Sequence, residues 1–171
     1  VDLPISNGYF ISETQAPYAY IRNSKDVYSF NFNVLPETQA KASFSHTFVN
    51  DRTTAKIHIY KVDKESGKAV AQGDASLEGA VYGLYARNDI VHPDGATGVV
   101  FKAGDLVATL TTDKNGEAEV SNLYLGNYYV KEITPSEGYL LDEEEHDVVC
   151  DYEGDLVAEV SRSTTLAEQV I

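Results

Sequence analysis

Apolar residues in this chain alternate with polar ones in short runs, and residues that bend the backbone close each run. Tyr28-Ser29-Phe30-Asn31-Phe32-Asn33-Val34, Lys56-Ile57-His58-Ile59-Tyr60, Leu106-Val107-Ala108-Thr109-Leu110 and Tyr128-Tyr129-Val130-Lys131 all follow this pattern. A period of two puts one set of side chains on one face of a strand. Between the runs stand Glu65-Ser66-Gly67, Pro93-Asp94-Gly95, Lys114-Asn115-Gly116, Glu137-Gly138 and Glu153-Gly154-Asp155, residue types that favour turns. Asn115-Gly116, flanked by alternation, is the strongest hairpin signal. No segment sustains a helical period, and 12 Tyr with no Met or Trp favour strands further. The expectation is an all-β sandwich or barrel built from short strands.

The remaining bounds are mostly exclusions. A chain of 171 residues can hold one large domain or two small ones, and 43% hydrophobic content is enough for a packed core. The net charge of −14 repels phosphate backbones and anionic lipid, so neither nucleic acid nor a membrane surface is an expected partner. Cys150 has no second cysteine to pair with and reads as a small core residue. No apolar stretch reaches membrane-spanning length, and no signal peptide opens the chain. His46, His58, His92 and His146 show no metal-ligand spacing, and Asp142-Glu143-Glu144-Glu145 reads as a solvated acidic turn. With no nucleophile motif and no phosphate loop, neither an enzyme nor a cofactor is expected. The stretch Arg87–Asp105 reads as a long hairpin or loop, the best place for recognition on a rigid sandwich.

The chain also repeats itself. Gly8-Tyr9-Phe10-Ile11-Ser12-Glu13-Thr14 matches Asn127-Tyr128-Tyr129-Val130-Lys131-Glu132-Ile133, Tyr20 follows as Tyr139 does, and Pro17 lies near the place of Pro135. Laying Phe48-Val49-Asn50-Asp51-Arg52-Thr53-Thr54 over Glu159-Val160-Ser161-Arg162-Ser163-Thr164-Thr165 sets Asn50 against Ser161. On this reading residues 1–54 are the C-terminal part of the unit that fills 55–171, joined by a short polar linker at 51–54. A half sandwich leaves open edges and an uncovered apolar face. Residues 1–54 are therefore expected to be completed by material outside the chain, by strand exchange with a neighbouring copy, or by packing on the second unit.

Strand phase singles out two charged residues. Ile57, Ile59 and Lys61 share a face, as do Tyr128, Val130 and Glu132; Glu13 follows Tyr9 and Ile11 in the same way. If the apolar residues face inward, a lysine and a glutamate face inward with them, and unpaired burial of either charge is costly. Burial favours a neutral amine, which is a nucleophile, and a protonated acid that can shuttle its proton. The alternative is that both side chains lie at strand ends with their charges in water or in a salt bridge.

Lys61-Val62-Asp63, Gly67, Leu77-Glu78-Gly79-Ala80-Val81-Tyr82, Thr112-Asp113-Lys114-Asn115-Gly116, Leu123, Gly126, Tyr128, Glu132 and Gly138-Tyr139 occur in this order. As a set they resemble the CnaB-type, or SpaA-like prealbumin-like, repeat domains of Gram-positive surface adhesins and pilins. The resemblance covers 55–171, and residues 1–50 resemble the C-terminal part of the same family. It implies an immunoglobulin-like β-sandwich in tandem, the first unit incomplete, on an extracellular protein attached to the cell wall. It further implies neighbouring repeats as partners, a host surface protein or glycan as adhesive target, and often a Lys–Asn or Lys–Asp isopeptide bond promoted by a glutamate.

Carried over by position, Lys61 is the crosslinking lysine and Glu132 its acid, while Asn50 is an acceptor with Glu13 as its acid and its lysine outside the chain. Ser161, at the second unit's acceptor position, cannot form the bond, and only a shifted register recruits Asp151 or Asp155. The second unit is thus expected to stand without a clamp, Lys61 and Glu132 surviving as a buried pair. No Leu-Pro-x-Thr-Gly sorting signal occurs, so wall anchoring would need sequence beyond Ile171. The functional expectation is a structural stalk module, with a binding module that works through its loops as the alternative.

Overall fold

The computed structural model describes residues 3–4, 6–32 and 42–171, and among them the regular elements are all strands. In chain order these are β1 (Ser6–Ser12), β2 (Val27–Phe32), β3 (Thr54–Asp63), β4 (Val81–Ala86), β5 (Ile90–Val91), β6 (Val99–Phe101), β7 (Leu106–Thr111), β8 (Glu117–Leu123), β9 (Gly126–Thr134), β10 (His146–Cys150) and β11 (Glu159–Glu168). A four-stranded sheet in the order β10-β9-β4-β7 faces a three-stranded sheet in the order β11-β3-β8. Alternation decides what lies between them. Ile57 and Ile59 from β3, Leu84 from β4, Tyr128 and Val130 from β9, and Val160 and Leu166 from β11 are all buried in one cluster. The expected sandwich is the fold observed over 55–171.

Two sequence expectations meet different fates. Arg87–Asp105 does carry a hairpin, β5 paired antiparallel with β6, and the Asp94 carboxylate closes it by accepting the amides of Ala96 and Thr97. Asn115-Gly116, by contrast, does not close a hairpin. β7 pairs with β4 and β8 with β3, so the turn carries the chain from one sheet to the other. The turn itself forms as its residues dictate, with Asp113 Oδ1 accepting the amides of Asn115 and Glu117. Its outward carbonyl then binds β3: Gly116 O accepts Lys61 N–H at 2.7 Å. A Cβ on Gly116, at φ +77°, would stand 2.6 Å from the Lys61 carbonyl oxygen, so the docked turn requires glycine.

One set of contacts occurs twice. Tyr20 bridges Arg52 as Tyr139 bridges Val170. Tyr20 N–H reaches Pro17 O as Tyr139 N–H reaches Ser136 O, and Ile21 N–H reaches Asp51 O as Leu140 N–H reaches Gln169 O. Ala19, at φ +65°, stands where Gly138, at φ +83°, stands in the second set. These pairs set Asp51 against Gln169 and Arg52 against Val170, so the residue corresponding to Asn50 is Glu168. These contacts favour Glu168 over Ser161 as the residue opposite Asn50 in the expected alignment. The two C-terminal stretches share little beyond alternation, and alternation alone permits several registers.

Residues 51–54 are less a linker than a fixed joint. Thr53 is buried, its N–H held by Ala19 O, and Thr54 N–H is held by Ala158 O. The Arg52 guanidinium donates to Leu123 O and Asn122 O, both at 2.9 Å, and to Asn122 Oδ1 at 2.7 Å, while lying over the Tyr124 ring. Arg22 N–H meets Asp155 O, and Asp155 Oδ2 accepts Ala16 N–H. Arg52→Ala removes the guanidinium's bonds, water taking its place at exposed Asn122, and is expected to weaken the joint by about 0.5–1.5 kcal/mol. Hydrogen exchange should then quicken at the Ile21 and Thr53 amides and stay unchanged in the β3 core. Uniform acceleration through β3 would mean that Arg52 supports the fold rather than the joint.

Candidate functional site

β3 alternates half-buried and buried along its whole length, so its phase carries Lys61 into the interior two residues after Ile59. β9 does the same for Glu132 two residues after Val130, and β11 for Glu168 two residues after Leu166. Lys61 and both carboxylate side chains are fully shielded from solvent. Lys61 Nζ lies 3.6 Å from Glu132 Oε1 and pairs directly with Glu168 Oε2. It also sits over the Tyr139 ring, 4.4 Å from the centroid. The Tyr82 hydroxyl donates to Glu168 Oε1, and Asp142 N–H donates to Glu132 Oε2 at 2.8 Å.

One cation against two carboxylates in a dry core is an unbalanced set. Burial pushes the Lys61 ammonium down to about 8, against the pull of Glu132. Burial also raises the Glu132 carboxyl, opposed by the Asp142 amide and by Lys61. The site thus moves toward a neutral amine and a protonated acid beside a second carboxyl group.

Lys61 and Glu132, both in phase with apolar neighbours on their strands, come together. Ser161 does not join them: it is exposed on the outer side of β11, opposite Lys56. Asp155 is engaged with Ala16 and Arg22, and Asp151 faces solvent, so neither approaches Lys61. Glu168 is the residue that sequence reasoning missed, although the parity that found Lys61 would have found it, since Val160, Leu166 and Glu168 share one face of β11. In the N-terminal segment Asn50 Nδ2 donates to Glu13 Oε2 at 2.7 Å, and Asn23 N–H donates to the same oxygen, as Asp142 N–H does to Glu132.

Three other features complete the survey. Cys150 is buried, its thiol pushed up to about 11 by burial, as fits a core residue. A cavity of about 340 Å³ lies where Tyr18 and Thr53 meet Ile90, His92, Tyr124 and Cys150, beside the hairpin expected to carry recognition. Asp142, Glu144 and His146 bring their ligand atoms within 4.8 Å of one another, a proximity that linear spacing of the histidines did not reveal. There the His146 imidazole is already held by Asp142 Oδ2 at 2.9 Å.

The family described as SpaA, a prealbumin-like fold domain, matches residues 55–164. Among solved structures, the TIE protein of Bacillus anthracis is similar over 97% of this chain at 20% identity, with a TM-score of 0.64. The pilus 2b backbone protein of group B streptococcus is similar over 71% at 22% identity with a TM-score of 0.46. The minor pilin of Streptococcus agalactiae is similar over 70% at 24% identity with a TM-score of 0.45. The chain spans 25% of the first of these proteins, 43% of the second and 45% of the third. No curated protein matches.

Proposed function

The chain belongs to the SpaA family of prealbumin-like fold domains, and on that premise we propose that it is a spacer module of a Gram-positive surface adhesin or pilin, locked by an amide bond between Lys61 and Glu168. Residues 55–171 form the complete unit and residues 1–54 the C-terminal part of a preceding one. Such a module holds an adhesive part away from the cell wall and performs no turnover. Its chemistry is a single condensation during folding.

The observation that carries this reading is the enclosure of Lys61 by two carboxylates with no solvent access. Glu132 takes a proton from the Lys61 ammonium, and the freed amine attacks Cδ of Glu168. The Nζ–Cδ bond forms, one C–O bond of Glu168 breaks, and its oxygen leaves as water with the two hydrogens lost from nitrogen. Glu132 relays these protons and ends as it began, while the Tyr82 hydroxyl holds the other Glu168 oxygen. Glu168 takes the place that an asparagine or aspartate holds in the family pattern, so water leaves rather than ammonia. The bond ties the ends of β3 and β11, which run parallel along ten register pairs from Thr54–Glu159 to Asp63–Glu168. Tension applied along the strands would load that ladder directly.

The test is the intact mass of the denatured chain. The expected value is the calculated mass less one water, with a branched peptide joining Lys61 to Glu168 after digestion. An unchanged mass would leave the three residues as an ionic cluster and overturn the covalent clamp.

A further inference from the structure

The wall of the 340 Å³ cavity is chemically one-sided. Its floor is apolar, with Ile90 of β5 and Cys150 of β10 both buried. Tyr18 and Tyr124 stand in the wall. Tyr18 is 71% exposed, yet its ring packs on Tyr152 at 4.8 Å; the Tyr124 ring is met edge-on by His92 at 5.5 Å. Two carboxylates complete the rim, Asp89 just before β5 and Asp151 just after β10. Asp89 Oδ1 is fixed by the Ala103 amide at 2.8 Å, which leaves the second oxygen uncommitted. Among the described residues neither carboxylate has a cation within ion-pair distance. Arg162, which feels the Asp151 charge, is bonded instead to Glu153 and to Val149 O. No Lys, Arg, Asn or Gln among the described residues lines the cavity, and the Thr53 hydroxyl is turned to Val157 O.

Ionised carboxylates only accept hydrogen bonds. A wall that offers two of them, two aromatic rings and an apolar floor calls for a ligand that is positive, rich in donors and able to lie on a ring. We propose that this cavity is a recognition site for an arginine side chain of a protein partner, its guanidinium paired with Asp89 and Asp151 and its stem against Tyr18 and Tyr124. A guanidinium brings five donors and no acceptor, and it stacks on aromatic rings where the strongly hydrated lysine ammonium gains less. A sugar suits the wall poorly, because each hydroxyl accepts as well as donates and no side-chain amide is there to answer it. The net charge of −14 draws a basic partner toward the surface before contact. Tyr18 and Thr53 come from one side of the joint and the other lining residues from the second unit, so the closed joint builds the site. None of this rests on the chemistry proposed for Lys61.

The probe is N-acetyl-arginine amide, titrated into the full chain and followed by NMR at the backbone amides. The expected result is saturable, salt-sensitive shifts at Asp89, Ile90, Tyr124 and Asp151, with a Kd of about 1 mM for so small a ligand. The citrulline analogue, which keeps the shape without the charge, should bind about tenfold more weakly, as should arginine to the double variant Asp89→Asn, Asp151→Asn. Asparagine retains an oxygen for the Ala103 amide, so the hairpin keeps its support in that variant. Equal binding of citrulline, undiminished binding to the double variant, or no saturable shift at these amides would overturn the proposal. Equal binding of N-acetyl-lysine amide would overturn the assignment to arginine. Tighter binding of N-acetylglucosamine or lactose at the same amides would do so too, since the occupant would then be a glycan. The mass of the chain alone reports on Lys61 and Glu168, so failure of one reading is distinct from failure of the other.

Discussion

Lys61→Met is expected to produce the largest loss of stability of any single change in the second unit. Methionine keeps most of the stem's volume between β3 and β9, so the loss isolates the amine. Two effects add. Removing the proposed crosslink, which closes a loop of roughly 100 residues, frees unfolded-state entropy equivalent to about 5 kcal/mol. The freed Glu168 carboxyl is then left buried beside Glu132 with no cation, which costs about 3–5 kcal/mol more, reduced because burial shifts Glu132 toward its protonated form. Together they approach the whole stability of a small domain, roughly 5–15 kcal/mol. Urea unfolding should show the midpoint collapse, and the variant's mass should return to the calculated value. A midpoint shifted by less than about 1 kcal/mol would show that the core tolerates the lysine without depending on it.

Glu132→Gln should separate the chemistry from the packing. A glutamine oxygen still accepts the Asp142 amide, and the contact between Lys61 and Glu168 remains, so the fold is expected to survive. The amide cannot take up and return a proton near neutral pH, so condensation should stop and the denatured mass should equal the calculated one. Stability should fall by the crosslink contribution alone, about 5 kcal/mol for a loop of that size, and less than in Lys61→Met. Loss of water persisting in this variant would remove Glu132 from the mechanism and leave Tyr82 and Glu168 to manage the protons.

The strands were written in the sequence because one face of each is buried, and a period of two survives any rearrangement of the partners. The same periodicity put Lys61 and Glu132 in phase with core positions but left open whether their charges lay inside or at strand ends. Its limit appears at Asn115-Gly116, where the turn was legible but its role was not. A hairpin and a crossover between sheets use the same local chemistry, and what separates them is the Gly116 carbonyl docking on the Lys61 amide. Glu168 was missed for a related reason. Laying Asn50 on Ser161 matched residue types along one line, whereas the bridges from Tyr20 to Arg52 and from Tyr139 to Val170 measure the register across the chain.

Composition and strand phase thus determined an acidic, all-β chain with a lysine and a glutamate in phase with apolar positions, because each depends only on neighbours one or two residues away. The pairing of β11 in parallel with β3, which delivers Glu168 to Lys61, was decided by the tertiary structure alone. Those residues are separated by nearly the whole second unit, and local sequence carries no record of which distant strands lie side by side.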